Sequence, residues 1–252
     1  MVRDKLRSNE YFDEFIEQRL KGIEKSKERI SNGIVSKERI PTVFKRFGAS
    51  KLRILVAKYS GGYSLSEIKA DYIILLKDFA GYWPEGQVLM NHNGKKLKQY
   101  LDYDDMLWML SLGILLDVSK EDFQILVDLI NRDGVKDKVY EYLIAYKLGF
   151  NDFDGEESYE FGWDLYCSLR GALNEDLSKE QRIELLENSL KSEWKKEHKQ
   201  LLPSPKDRHE TYFGAWSFES AAIVAILDLD DSSFRDNPYY PKDLVDYYRA
   251  NK

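Results

Sequence analysis

Residues 10–31 read EYFDEFIEQRLKGIEKSKERIS. Phe12, Phe15, Ile16, Arg19, Leu20 and Ile23 recur at three- and four-residue spacing, and charged residues fill the positions between them. That period places the large side chains on one stripe of an α-helix and leaves the opposite face to water. Asn32-Gly33 follows at once, and both residue types tolerate the left-handed conformation that ends a helix.

The same pattern repeats along the chain. A second helical stretch runs from Arg46 to Tyr59 and ends at Gly61-Gly62. Ser64-Leu65-Ser66-Glu67 sets a hydroxyl three residues ahead of an acid, which opens a third helix reaching about Tyr82, before Trp83-Pro84. Residues 85–99 read as a loop. Asp102 or Asp104 can cap a helix containing Met106, Leu107, Met109 and Leu110. Ser119 caps another, whose Phe123, Leu126, Val127 and Ile130 share a face. Further helices are expected at about 135–148, 157–171, 178–199, 215–228 and 242–249. No run of alternating apolar and polar residues marks a buried strand, and no fixed repeat marks a solenoid. The expected fold is therefore all-α, an irregular multi-helix arrangement of two helical regions packed together, with little or no strand. The polar, acidic stretch 151–157 is the expected junction, dividing residues 1–150 from 151–252.

Composition limits the class. With 252 residues, 43% of them apolar and 33% charged, the chain can build a sizeable core beneath a solvated surface. The first residues, MVRDKLRSNEYFDEF, are charged throughout and contain no apolar signal segment. The longest apolar run, Met106 to Leu116, is too short to span a bilayer. A single cysteine, Cys167, permits no intramolecular disulfide and fits a reducing compartment, so the expected location is the cytoplasm. Residues 131–252 hold 17 Lys and Arg against 25 Asp and Glu, an imbalance that would repel nucleic acid and attract basic proteins, although charge alone favours the simpler reading that it keeps the protein soluble.

No residue pattern demands a cofactor or a metal. Gly61-Gly62 lacks the lysine and third glycine of phosphate-binding loops. If Gly155 is aligned with the glycine of a calcium loop, Phe150 and Phe161 fall where two carboxylate ligands belong. Cys167 has no histidine nearby in sequence and reads as a packed thiol, while His198 and His209 read as surface or capping residues.

Glu219 is the sharpest chemical candidate. It stands near the start of WSFESAAIVAIL (216–227), which is otherwise almost wholly apolar. Burial would raise its pKa into the range of a general acid or base, which gives the enzymatic alternative, with Asp230 and Asp231 as companions. The structural alternative, preferred here, has Ser217 cap the helix and Glu219 answer its dipole or an internal cation. Trp216, Phe218, Ala222, Ile226 and Leu227 are expected to be largely buried.

The end of the chain carries a longer pattern. Tyr212-Phe213-Gly214-Ala215-Trp216-Ser217-Phe218-Glu219 is followed by Leu229-Asp230-Asp231-Ser232-Ser233 and then Pro238-Tyr239-Tyr240-Pro241-Lys242-Asp243-Leu244-Val245. This ordered, aromatic-rich series resembles the C-terminal signature of the PoNi family, immunity proteins for polymorphic-toxin nucleases. Tyr59-Ser60-Gly61-Gly62-Tyr63-Ser64-Leu65 is similar to a weaker N-terminal element of that family. The resemblance implies an all-α bacterial protein of interbacterial competition. It would bind and neutralise a partner nuclease toxin, a DNase, without catalysing a reaction itself.

The resemblance carries over no catalytic residue, cofactor or metal, and implies neither nucleic-acid nor membrane binding. Tyr212, Gly214, Trp216, Phe218, Glu219, Asp230, Asp231, Pro238, Tyr239, Tyr240 and Pro241 then read as a fold signature. For the partner surface, the exposed acidic cluster Asp152, Asp154, Glu156 and Glu157 is the choice, because acidic groups steer a phosphate-binding enzyme. A general protein-binding adaptor is the remaining alternative.

Overall fold

A computed structural model describes residues 2–86, 88–92, 95–150, 166–203 and 211–252. The fold is all-α. Its described residues divide into two compact units, one of residues 1–85 with 200–215 and one of residues 86–199 with 216–252. The second unit thus draws helices from both sides of position 150, and the expected junction at 151–157 lies outside the described residues.

The first unit contains α1 (Asn9–Ser31), α2 (Ile40–Gly61) and α3 (Leu65–Tyr82). α2 packs against both others. Ser8 caps α1 and Ser64 caps α3, each hydroxyl accepting a first-turn N–H. α2 begins six residues before Arg46, with Pro41 in its first turn, where the missing N–H costs nothing. It ends at Gly62, whose φ of 87° suits glycine. Phe12, Phe15, Ile16 and Ile23 are buried as their spacing predicts, whereas Leu20 stays exposed. The segment 211–215 joins this unit: Tyr11 donates to the Tyr212 carbonyl at 2.8 Å and Ser60 to that of Phe213 at 3.0 Å.

The second unit surrounds α4 (Tyr103–Leu115). Every residue from Met106 to Leu115 is buried, so the helix is apolar all round because protein covers all of it. It packs against α5 (Lys120–Asp133), α6 (Lys138–Leu148), α10 (Phe218–Leu227) and α11 (Lys242–Asn251). Trp108 of α4 meets Phe218 of α10 edge to face, with ring centroids 5.5 Å apart. Burying each such side chain contributes about 1.5–3 kcal/mol. Trp216, Phe218, Ala222 and Ile226 are buried, and Leu227 is half-buried. The short α7 (Cys167–Gly171) precedes α8 (Lys179–Asn188), which runs through a π-helical turn, Ser189–Glu193, into α9 (Trp194–Glu197).

Where a loop is expected at 85–99, Val88–His92 and Lys95–Tyr100 pair as the antiparallel strands β1 and β2. The hairpin is small and leaves the fold class unchanged. Among the described residues, no helix is long and apolar enough to cross a membrane.

Candidate functional site

The second unit contains a buried polar cluster centred on Glu219. Its side chain is 0% exposed at the start of α10. Oε1 accepts hydrogen bonds from Trp194 Nε1 at 2.8 Å and from the Ser217 hydroxyl at 2.6 Å, while Oε2 is buried without a partner. Burial pushes the carboxyl's pKa above its ordinary value, against the opposing effects of nearby His198 and the donors on Oε1.

Trp194 also stacks between two rings. His198 lies on one side with centroids 4.5 Å apart, and Tyr239 makes a second stacked contact at 4.8 Å. Of the two roles expected for His198, surface or capping, it takes the second: it is the C-cap of α9 and is buried. Its Nδ1 is 3.0 Å from the Trp194 carbonyl, which can only accept, so Nδ1 carries a proton. Its Nε2 lies 2.7 Å from the Tyr166 hydroxyl, which is also 2.7 Å from Asp104 Oδ1.

That hydroxyl has one proton. If it goes to the Asp104 carboxylate, Nε2 must donate in turn, and the imidazole is then positively charged. Burial opposes this charge, but Asp104 and Glu219 outweigh burial and hold the histidine's pKa above its ordinary value. His198 Nε2 and Asp104 are 3.8 Å apart, so Tyr166 bridges them. Tyr166 itself adopts a left-handed φ of 57°, which disfavours a residue with a Cβ by about 1–2 kcal/mol. The Glu197 carboxylate accepts its backbone N–H at 3.0 Å and helps hold that conformation.

A carboxylate, a histidine and a tyrosine are the groups of general acid–base chemistry. Here they are sealed: Tyr166 is 1% and His198 2% exposed. Two cavities among the described residues, about 510 Å³ against α1 and α2 and about 450 Å³ against α5 and α6, are lined by other residues. Among the described residues the cluster fixes α9 and α10 to Tyr166, with Asp104 half-buried at its edge.

The rest of the signature is similarly placed. Tyr212 is buried in the first unit and donates its hydroxyl to Asp4. Gly214 has φ 116°, a conformation closed to other residues in practice. Asp230 is exposed and turns the chain by accepting the Ser232 N–H at 3.0 Å. Asp231 is a buried hub, bonded to Arg235 and to Tyr240 at 2.9 Å each, with Arg249 at 3.5 Å. The Tyr239 carbonyl accepts the Ser217 N–H at 2.8 Å. Pro238 is exposed, and Pro241 is buried directly before α11.

No hydrogen bond among the described residues joins Glu219 to Asp230 or Asp231. Asp152, Asp154, Glu156 and Glu157 lie outside the described residues. Cys167 is exposed rather than packed. The sequence reading gives Asp104 only as a possible helix cap and His198 only as a surface or capping residue, and does not single out Trp194 or Tyr166. Their one local signal is that Leu186, Leu190, Trp194 and His198 recur every fourth residue.

These features define a class first: among the described residues, an all-α protein whose buried polar cluster ties helices together. The chain belongs to the PoNe immunity protein (PoNi) family: the family's N-terminal model matches residues 3–128 and its C-terminal model residues 135–244. At the level of the family, its role is to bind and neutralise a cognate nuclease toxin. No curated protein matches the chain. Among solved structures, the crystal structure of protein PA2201 from Pseudomonas aeruginosa has a similar fold, with a TM-score of 0.67 and 17% identity. The match covers 99% of this chain and 91% of that one.

Proposed function

We propose that this protein is a stoichiometric, non-enzymatic inhibitor of a DNase toxin, acting in the bacterial cytoplasm by direct binding. One observation carries the finer part of the reading. The second unit holds 19 Lys and Arg against 30 Asp and Glu, whereas the first holds 19 against 14. A DNase must present a surface that receives phosphates, and an acidic face is attracted to such a surface and competes with DNA for it. The sealed position of Glu219 favours inhibition over catalysis by this chain.

Within that reading, Asp152, Asp154, Glu156 and Glu157 form part of the toxin-binding face. The test is co-expression with the neighbouring toxin, followed by association kinetics at several salt concentrations. Changing all four residues to lysine should slow association and reduce its salt dependence while leaving the helical spectrum intact. Unchanged kinetics at low salt would remove the cluster from the interface. Failure of the unmodified protein to bind or rescue would instead favour an adaptor with another partner.

A further inference from the structure

The first unit carries a recognition feature of opposite sign. α1 and α2 flank a groove of about 510 Å³ whose lining includes Arg19, Arg29, Arg39 and Arg46 and not one carboxylate. Arg29, Arg39 and Arg46 are exposed, and their side chains make no ion pair among the described residues. On α1, Glu17 pairs with Lys21 at 2.6 Å and Glu24 with Lys27 at 2.7 Å, and Glu28 and Glu38, which precede Arg29 and Arg39 in sequence, do not line the groove. Residues 19–53 hold 11 Lys and Arg against 3 Asp and Glu. Burial and then the like charge of Arg53 push down the pKa of Arg19.

The groove also has apolar walls. Ile23, Val43 and Phe47 line its depth, and Ile34 is 62% exposed at its edge. A nucleic-acid backbone could meet the arginines with its phosphates but has no apolar side chain to cover Ile23, Val43 and Phe47. A peptide segment with carboxylates beside apolar side chains satisfies both parts: arginine forks grip carboxylates in pairs, and the floor buries the anchors.

We propose that this arginine-lined groove receives an acidic, apolar-anchored segment of the partner toxin. The proposal rests on the immunity reading above, and gives the protein two contact faces of opposite charge. The arginine face would select the partner's acidic segment while the second unit's acidity meets its phosphate-binding surface.

Gly22 supplies an uncharged test. It lines the groove in the middle of α1, and an added Cβ there would meet nothing within 4 Å. Gly22→Leu should keep or improve helix stability while filling the groove. The triple variant Arg29→Glu, Arg39→Glu, Arg46→Glu reverses its charge, and the corresponding triple Gln variant only removes it.

Fluorescence anisotropy on the full chain would use a short labelled peptide of glutamate and leucine, its lysine–leucine counterpart and a DNA duplex as probes. Toxin affinity would be measured in parallel, with helical content checked by circular dichroism. The glutamate peptide should bind the unmodified chain in a salt-sensitive manner, with affinity falling about tenfold or more in the Glu triple variant and in Gly22→Leu. The Gln variant should lie between, and toxin affinity should fall in the same order.

Preference for the lysine peptide or for DNA would overturn the proposal, as would equal binding of the glutamate peptide by folded variants. If the unmodified chain binds toxin and the folded variants bind it equally well, the groove fails and the immunity reading stands. If the peptide binds as expected but the toxin does not bind at all, the immunity reading fails, and with it the assignment of the groove's partner.

Discussion

Trp194 donates its indole N–H to Glu219 at 2.8 Å, joining α9 to the first turn of α10. The bond makes a buried acid part of an aromatic stack, so the carboxyl's value lies in accepting hydrogen bonds rather than in its charge. A neutral acceptor of the same shape should serve as well or better once the carboxyl ionises.

Glu219→Gln should therefore preserve folding and toxin neutralisation. The carboxyl's pKa is raised in the fold, so its stabilising contribution is complete below its ordinary value of 4.5 and declines as pH rises through the folded value. Relative to the unmodified protein, the Gln variant should gain stability on going from acidic to alkaline pH. Glu219→Ala removes the acceptor for Trp194 and Ser217 and should cost about 2–4 kcal/mol by urea denaturation. A folded Gln variant that lost protection while still binding toxin would reassign Glu219 to chemistry.

His198 imposes its own pH dependence. Its folded pKa is raised, so the stabilisation is complete below 6.5 and is lost as pH rises through the folded value. His198→Gln should be less stable than the unmodified protein, with the difference shrinking above neutrality. Urea melts across that window give the comparison, and a difference independent of pH would reject a charged His198. Tyr166→Phe should lower the histidine pKa read by NMR, because it removes the bridge to Asp104.

Asp231 holds two arginines and a tyrosine near the chain end. Asp231→Ala should cost about 2–3 kcal/mol, since it takes an acceptor from the buried Tyr240 hydroxyl and from two partly exposed arginines. Asp231→Asn should cost less. Asp230→Ala, which loses only an exposed turn bond, should cost about 1 kcal/mol or less. Thermal unfolding of the three variants gives the order, and equal effects at the two aspartates would contradict the hub.

Two glycines make opposite predictions for the same substitution. A Cβ at Gly48 would lie 2.8 Å from Tyr82 Cβ, where α2 and α3 approach closely. Gly48→Ala should therefore destabilise by about 1–3 kcal/mol. Gly22→Ala meets open space and should stabilise by about 0.5–1 kcal/mol through helix propensity. Chemical denaturation resolves both, and a shared sign would refute this packing of the first unit.

Features encoded locally were the legible ones. Ser64 and Ser119 announce their helices because a cap needs only its own next residues. Pro41 is a local sign of the earlier start to α2, because proline suits the first turn of a helix. The hairpin also left a trace, Asn93-Gly94, obscured by flanking segments without clean alternation. The signature suggested a packing device, and Asp231, Tyr239 and Tyr240 do pack helices. The clamp itself was not legible: His198 meets Tyr166 and Asp104 from 32 and 94 positions away, and such meetings depend on the completed fold. The groove was missed for a related reason, since its arginines read singly as an ordinary solvated helix face.

The π-helical turn at Ser189–Glu193 limits how this part of the chain can change in length. An α-helix advances about 100° per residue, so every four-residue step overshoots a full circle by about 40°. Leu186, Leu190, Trp194 and His198 are nevertheless all buried, because the wider turn takes up the excess and brings the later members back into phase. Five residues wound as a π turn and four wound as an α-helix both come to little more than one revolution, so a residue lost from the turn leaves the later helix in phase, whereas one lost just before it, from α8, would swing everything beyond by about a quarter of a revolution. Trp194 would then leave Glu219, and His198 would leave Tyr166, although every residue of the clamp was still present. Across this interval spacing is as much a determinant as residue identity, and a shortened chain could fail where most single substitutions succeed.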